Sequence, residues 1–233
     1  MENKSLKQII ANRLEKLDKI RQLGVNPYPY EFNVTHSTSD ITKDDVDKNV
    51  SVAGRVMSLR KMGKAAFANI QDAHGRVQLY IARDDVGEDN YSLFKLIDIG
   101  DFIGIDGIVF ITKTDALTVK AEKVTVLSKN LRPIPDVKEK DGEKYNSVSD
   151  KELRYRKRYI DMIINPETKD NYIKRFKIIN SIREFLNKNG YIEVETPVLQ
   201  PVYGGANAKP FKTFHNALDQ EFFLRIATEL YLK

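Results

Sequence analysis

Cysteine is missing altogether from the 233 residues. Neither a disulfide nor a thiolate metal site can be built from this chain, and a reducing compartment is expected. Long apolar runs are missing too. No stretch reaches the roughly eighteen apolar residues that a membrane helix needs, and the opening MENKSLKQII lacks the apolar run of a signal peptide. A cytoplasmic location with no membrane partner is the expectation. What is present suffices for a core, since 41% of the residues are hydrophobic and the length leaves room for one large or two small domains. The net charge of +5 leans towards an anionic partner. Its distribution says more: Lys151 to Lys188 holds eleven Lys or Arg against five Asp or Glu, a surplus of six that leaves the remainder near −1. Such a strip is either a phosphate track or the solvated face of a helix.

The stretch Val52 to Ile81, VAGRVMSLRKMGKAAFANIQDAHGRVQLYI, reads as three successive strands with one misplaced aromatic. In AAFANIQ a period of two puts Ala66, Ala68 and Ile70 on one face and Phe67, Asn69 and Gln71 on the other, so Phe67 sides with the polar residues. After the turn Asp72-Ala73-His74-Gly75, Val77, Leu79 and Ile81 alternate with Arg76, Gln78 and Tyr80. Phe67, Gln78, Tyr80 and Arg76 therefore share a solvent face suited to an unpaired nucleobase: the ring stacks and the amide reads the base edge. Sheet aromatics also pack beneath loops, and alternation alone leaves both readings open.

Ser5 to Leu23 carries Leu6, Ile10, Leu14 and Leu17 at helical spacing, widened by Ile9, Ile20 and Leu23, with Ser5 as N-cap and Gly24 as stop. NPYPYEF, from Asn26 to Phe32, cannot continue that helix, and its tyrosines are expected to be packing anchors. Five strands are predicted at about 50–62, 65–71, 76–82, 102–112 and 117–127, with a short helix at Tyr91–Ile99 between the third and fourth. Three strands, a helix and two strands is the order of an OB-fold, and Gly54, Gly104 and Gly107 suit the bends of a small barrel. Another small antiparallel barrel or sandwich is the alternative. Leu131 to Asp150, with Pro133, Pro135 and a charged run, reads as a linker. Asn171 to Lys188 then forms an amphipathic helix with Ile173, Phe176, Ile179, Ile182 and Leu186 on one face. An extended Tyr191–Leu199, ended by Pro197, follows; Glu221–Ile226 is a further strand, and Thr228 is a candidate N-cap for ELYLK. No compact domain closes at such a point, so a second domain cut short is the expectation.

These segments in this order are similar to the class II aminoacyl-tRNA synthetases, and among them to the lysyl-tRNA synthetases. The likeness runs through RLEKLDKIRQLGVNPYPYEF, VAGRVMSLRKMGKAAFANIQDAHGRVQLYIARDD, LRPIPD, ELRYRKRYIDMI, GYIEVETPVL and GGANAKPFKTFHNALDQEFFLRIATELYLK. The resemblance implies an α+β chain. Its parts would be an N-terminal helical extension over 1–49 and a five-stranded OB-fold β-barrel that binds the anticodon over 50–130. A linker over 131–168 would lead to an incomplete class II α/β catalytic domain with antiparallel sheet over 169–233. It further implies that Phe67 stacks on the middle anticodon base, Gln78 reads its edge and Arg60 is the supporting cation, the face shift at Arg60 being supplied by a bulge in the first strand. Asp115 stands one position from the acidic residue that relatives often carry, so no base contact is carried over to it.

By the same resemblance, Gly205 presents backbone to substrate lysine and Glu229 pairs with its ammonium group. Pro197 and the helix before it would form the interface of a homodimer. A turn glycine, a first-turn acid and ordinary intradomain packing are the plain readings of those residues. Tyr203 replaces a proline that relatives often have before the glycines. The implied reaction is ATP-dependent: lysine is adenylated with Mg2+ as counter-charge, then passed to tRNA-Lys. No catalytic residue or metal ligand of that reaction is assigned to these 233 residues, and the chain alone is expected to bind tRNA without activating lysine. Lysine-dependent pyrophosphate exchange by the purified chain is the measurement that overturns this. A stand-alone nucleic-acid-binding protein with a synthetase-like barrel, and an aspartyl- or asparaginyl-type enzyme, are the rival readings.

Overall fold

The structure, a computed structural model, describes residues 5–135 and 150–233 together with the backbone of 137–140 and 143–146. It divides into two compact units, Met1–Arg156 and Lys157–Lys233.

The first unit opens with α1, Leu6–Gln22. Ser5 caps it through a reciprocal capping box with Gln8, and Leu23 followed by Gly24 at φ +74° ends it. The buried stripe is Arg13, Leu17 and Ile20, while Leu6, Leu14 and Leu23 are exposed. Of the apolar stripe expected from sequence, Leu17 and Ile20 are buried, and the cation Arg13 shares the core side with them. The tyrosines of NPYPYEF are not anchors either. Tyr28 is exposed and Tyr30 fully so; Pro27 is buried instead, and Phe32 lies against Gly104.

Five strands close a barrel in the order β1-β2-β3-β5-β4: β1 Asn49–Met62, β2 Ala65–Gln71, β3 Arg76–Ala82, β4 Phe102–Ile111 and β5 Leu117–Ser128. All neighbours are antiparallel except the short β3–β5 seam, where Gln78, Leu79 and Tyr80 face Thr118, Val119 and Lys120 in parallel. This is the connectivity of an OB-fold. The alternating faces behave as period two requires: Ala66, Ala68, Ile70, Val77, Leu79 and Ile81 are buried, as are Val52, Val56, Ile103, Ile105, Val109 and Val119. The register of β1 on β2 shifts between Val56 and Ser58, which is the expected bulge. A second shift lies between Asp106 and Gly107 on β4, where a Cβ on Gly107 would stand 2.0 Å from the Lys120 carbonyl oxygen. At Gly104 a Cβ would stand 2.5 Å from the Phe32 ring, so the missing side chain is what seats NPYPYEF on the strand.

Between β3 and β4 lies α2, Arg83–Lys95, kinked at Gly87, whose φ of +80° only glycine adopts cheaply. It starts eight residues before the Tyr91 start expected from sequence and stops at Lys95. Val86, Tyr91, Leu93 and Phe94 are its buried residues, and Phe94 and Ile97 belong to the barrel core. The stretch read as a linker holds structure: an antiparallel pair, β6 Val137–Lys140 and β7 Glu143–Asn146, then α3 Lys151–Arg156 and α4 Arg158–Ile164.

In the second unit, α5 spans Pro166–Lys188, with Pro166 where a first-turn proline is tolerated. A three-stranded antiparallel sheet in the order β8-β10-β9 joins β8 Leu199–Gln200, β9 Lys212–His215 and β10 Gln220–Leu224, and α6 is Glu229–Leu232. Residues 191–197 lie in no strand, and Pro197 precedes the short β8 rather than ending an earlier strand. Thr228 stands at the cap position of α6 but its side chain makes no capping bond.

Candidate nucleic-acid interface

The polar face of the barrel is built from two register rungs. Arg60, Phe67, Tyr80 and Lys120 are successive partners across β1, β2, β3 and β5; two residues along, Ser58, Asn69, Gln78, Thr118 and Phe110 are successive partners across all five strands. Because each strand alternates, both rungs lie on the outer side of the barrel, although Thr118 is fully covered there. All but Thr118 line a cleft of about 880 Å3 with Leu59 and the hairpin residues Thr112, Lys113 and Thr114. The sequence-derived Phe67, Gln78 and Arg60 therefore meet in one place, and Arg60 lies directly opposite Phe67 because of the bulge at Val56–Ser58. Arg76 does not join them: its Nε donates to Gln71 Oε1 at 2.7 Å, and it is not part of the cleft lining.

The aromatics form a continuous row. Phe67 and Tyr80 have ring centroids 5.2 Å apart, and Tyr80 meets Phe110 edge-on at 6.1 Å. The Thr118 hydroxyl donates to the Ala116 carbonyl at 3.1 Å and lies 3.4 Å from the Gln78 carboxamide oxygen, and the Gln78 NH2 has no partner among the described residues. Asn69 Nδ2 donates to Ser58 Oγ at 2.8 Å, so that amide is already committed. Three cations, Arg60, Lys113 and Lys120, enter the lining and no carboxylate does. Lys120 pairs with Asp85 at 3.3 Å; Arg60 and Lys113 have no acidic partner among the described residues. Asp115, at φ +57°, turns instead to Lys43 at 3.5 Å and stays out of the cleft. The arrangement offers a stacking row, one available amide and uncompensated positive charge, which is the chemistry of single-stranded nucleic acid recognition.

A second constellation lies in the other unit. Gly205 adopts φ +83°, and a Cβ there would stand 3.1 Å from the Cβ atoms of both Ala227 and Glu229. Gly205 and Glu229 are thus adjacent although 24 positions apart, and the Glu229 carboxylate accepts an ammonium, that of Lys233 at 2.6 Å. Tyr203 packs against Phe223 with ring centroids 4.7 Å apart and planes tilted by 53°. Pro197 is exposed, and its carbonyl accepts from Gln200 Nε2 at 3.2 Å.

Comparison with known proteins decides what this arrangement belongs to. Residues 50–127 match the model of the OB-fold nucleic acid binding domain, and residues 150–233 that of the class II tRNA synthetases (D, K and N). A lysine–tRNA ligase of Carboxydothermus hydrogenoformans is 47% identical over 236 residues, which takes in 100% of this chain and 47% of that protein. A lysine–tRNA ligase of Azobacteroides pseudotrichonymphae is 51% identical over 232 residues, 95% of this chain and 46% of that protein. The chain belongs to the lysine–tRNA ligase family of class II synthetases. It spans about half the length of the curated relatives it matches. Among the described residues no group of three or more histidine or acidic side chains could hold a metal ion. Nor is any described helix long and apolar enough to cross a membrane.

Sequence reasoning missed Phe110, Asn69's commitment to Ser58 and the hairpin lysine. The signal for Phe110 was available: in FIGIDGIVFI the buried Ile103, Ile105 and Val109 set the phase, and Phe110 falls on the polar side with Asp106 and Ile108. Lys113 lies beyond the strand, where alternation no longer speaks.

Proposed function

We propose that the protein is a lysine–tRNA ligase of translation, joining lysine to tRNA-Lys at the expense of ATP, in the cytoplasm, and that the barrel cleft reads the anticodon. The observation that carries this is the convergence of Phe67, Gln78 and Arg60 in a cleft with no carboxylate in its lining. The Phe67 ring takes the face of one unpaired base, the Gln78 NH2 donates to a base-edge acceptor, and Arg60 supplies positive charge beside the pair. Gly205 and Glu229, packed against each other, form the lysine-binding corner: a side chain at Gly205 would strike Glu229, and the carboxylate is placed to receive an ammonium. The α5 face with Pro197 is the homodimer contact.

The test is binding of the chain to tRNA-Lys and to an anticodon-substituted tRNA at fixed salt. The expected result is a preference for the lysine anticodon that Phe67→Ala reduces by about 1–3 kcal/mol, while Gln78→Ala lowers the preference more than the overall affinity. Equal binding of both tRNAs by the unmodified chain refutes the anticodon reading.

A further inference from the structure

Arg60 and Lys113 stand at opposite margins of the cleft. Arg60 is on β1 and Lys113 is in the hairpin that joins β4 to β5, so β2 and β3 lie between them across the cleft face. The hairpin is held by its own bonds: Thr112 Oγ1 accepts from Ala116 N at 3.0 Å and lies 3.1 Å from Thr114 Oγ1, Asp115 N donates to Thr112 O at 2.9 Å, and Thr112 N to Ala116 O at 3.0 Å. Asp115, the nearest acid in the loop, is drawn to Lys43, which leaves Lys113 as the charge this hairpin brings to the lining.

Resting on the base-reading role of the same cleft, we propose that Lys113 is a phosphate clamp: its ammonium neutralises a backbone phosphate of the strand as it leaves the base seated on Phe67, positioning the nucleic acid without reading its sequence. A point charge on a flexible stem suits a phosphate better than a base edge, for which the committed geometry of an amide or guanidinium is needed. The Tyr80–Phe110 contact forms the floor over which that strand passes.

Titration of the 233-residue chain with tRNA-Lys over a series of salt concentrations tests it, with Lys113→Ala, Lys113→Arg and, outside the cleft, Lys7→Ala on α1. Loss of one phosphate contact lowers the slope of log K against log salt by about 0.7–0.9 and weakens binding roughly fivefold at 0.1 M salt. Lys113→Ala is expected to do both and leave the ratio of lysine to substituted anticodon unchanged, Lys113→Arg to retain the slope, and Lys7→Ala to change nothing. An unaltered slope in Lys113→Ala, or an altered anticodon ratio, overturns the proposal. The two readings fail separately: a wild type indifferent to the anticodon whose slope still falls in Lys113→Ala defeats the base-reading role and sustains the clamp. A selective wild type with an unaltered Lys113→Ala slope does the reverse.

Discussion

At the scale of single residues, Asp72 shows how one carboxylate sets a turn. Its oxygens accept from Thr38 N at 2.7 Å, Thr38 Oγ1 at 2.6 Å, His74 N at 2.7 Å and Gly75 N at 2.9 Å, so one side chain ties the β2–β3 turn to the segment before β1. Partial burial raises its pKa, but the four donors outweigh that and hold it at about 2, against an ordinary 3.8. A depressed folded value means that the stabilisation is present above the unfolded pKa and is lost as pH falls through the folded one. The window is therefore from about pH 4 down to about pH 2. Asp72→Asn is expected to cost about 1 kcal/mol at neutral pH, after allowing for solvent screening, and to flatten this part of the acid loss. Urea midpoints of both proteins across pH 2–6 check it; parallel curves would show that Asp72 is not the titrating group.

At the scale of elements, the contact between α1 and the barrel is held by charges as well as by the buried Leu17 and Ile20. Arg13 donates to the carbonyls of Asn130 at 2.7 Å and Ile99 at 3.0 Å. Lys16 reaches Asp98 at 2.5 Å, while fully buried Lys129 reaches Asp98 and Asp101, each at 2.6 Å, and the Leu96 carbonyl at 3.0 Å. Burial pushes the Asp101 carboxyl up against the pull of Lys129 and of two backbone amides; at Asp98 burial acts the same way, but Lys129 and Lys16 prevail and hold it low. Removing one partner of such a group leaves an uncompensated buried charge, so Lys129→Met is expected to cost about 3–5 kcal/mol, and Lys129→Met with Asp101→Asn to recover part of it. Chemical denaturation of the single and double variants checks this, and additive losses would deny the coupling. These elements also show what the sequence could carry. Strands and their faces were legible because period two is local, and Phe67 stood out as an aromatic in the wrong phase. Arg13, Lys129 and Asp101 did not, since partners 28 to 117 positions apart leave no mark on the spacing of apolar residues. The start of α2 was hidden as well, because its polar first turns, RDDVGEDN, have no apolar stripe until after the Gly87 kink.

At the scale of the whole molecule, the two units differ in how they treat apolar residues. The barrel buries its alternating faces, whereas α5 buries none of its residues: Phe176 is 61% exposed, Ile182 55% and Phe185 66%. The plain reading of that stripe as intradomain packing therefore has no support in α5 itself. Beside it, Ile179, Ile182, Leu186, Tyr191 and Ile192 line a cleft of about 390 Å3. A contiguous apolar surface of this kind is stable in water only when something covers it. In the homodimer proposed above, a two-fold partner would cover it with the same surface, since a C2 contact is self-complementary. Of the basic residues on α5, Lys174, Arg175 and Lys177 are exposed, and Arg183 lines the cleft itself. Light scattering of the chain at tens of micromolar is expected to give about twice the 26.8 kDa of one chain. Phe176→Asp with Ile182→Asp, which puts four carboxylates into the shared surface, should halve that mass while leaving the far-UV spectrum and the Asp72 acid window unchanged. A wild-type mass of one chain, or a dimer indifferent to both aspartates, would remove the α5 face from the interface.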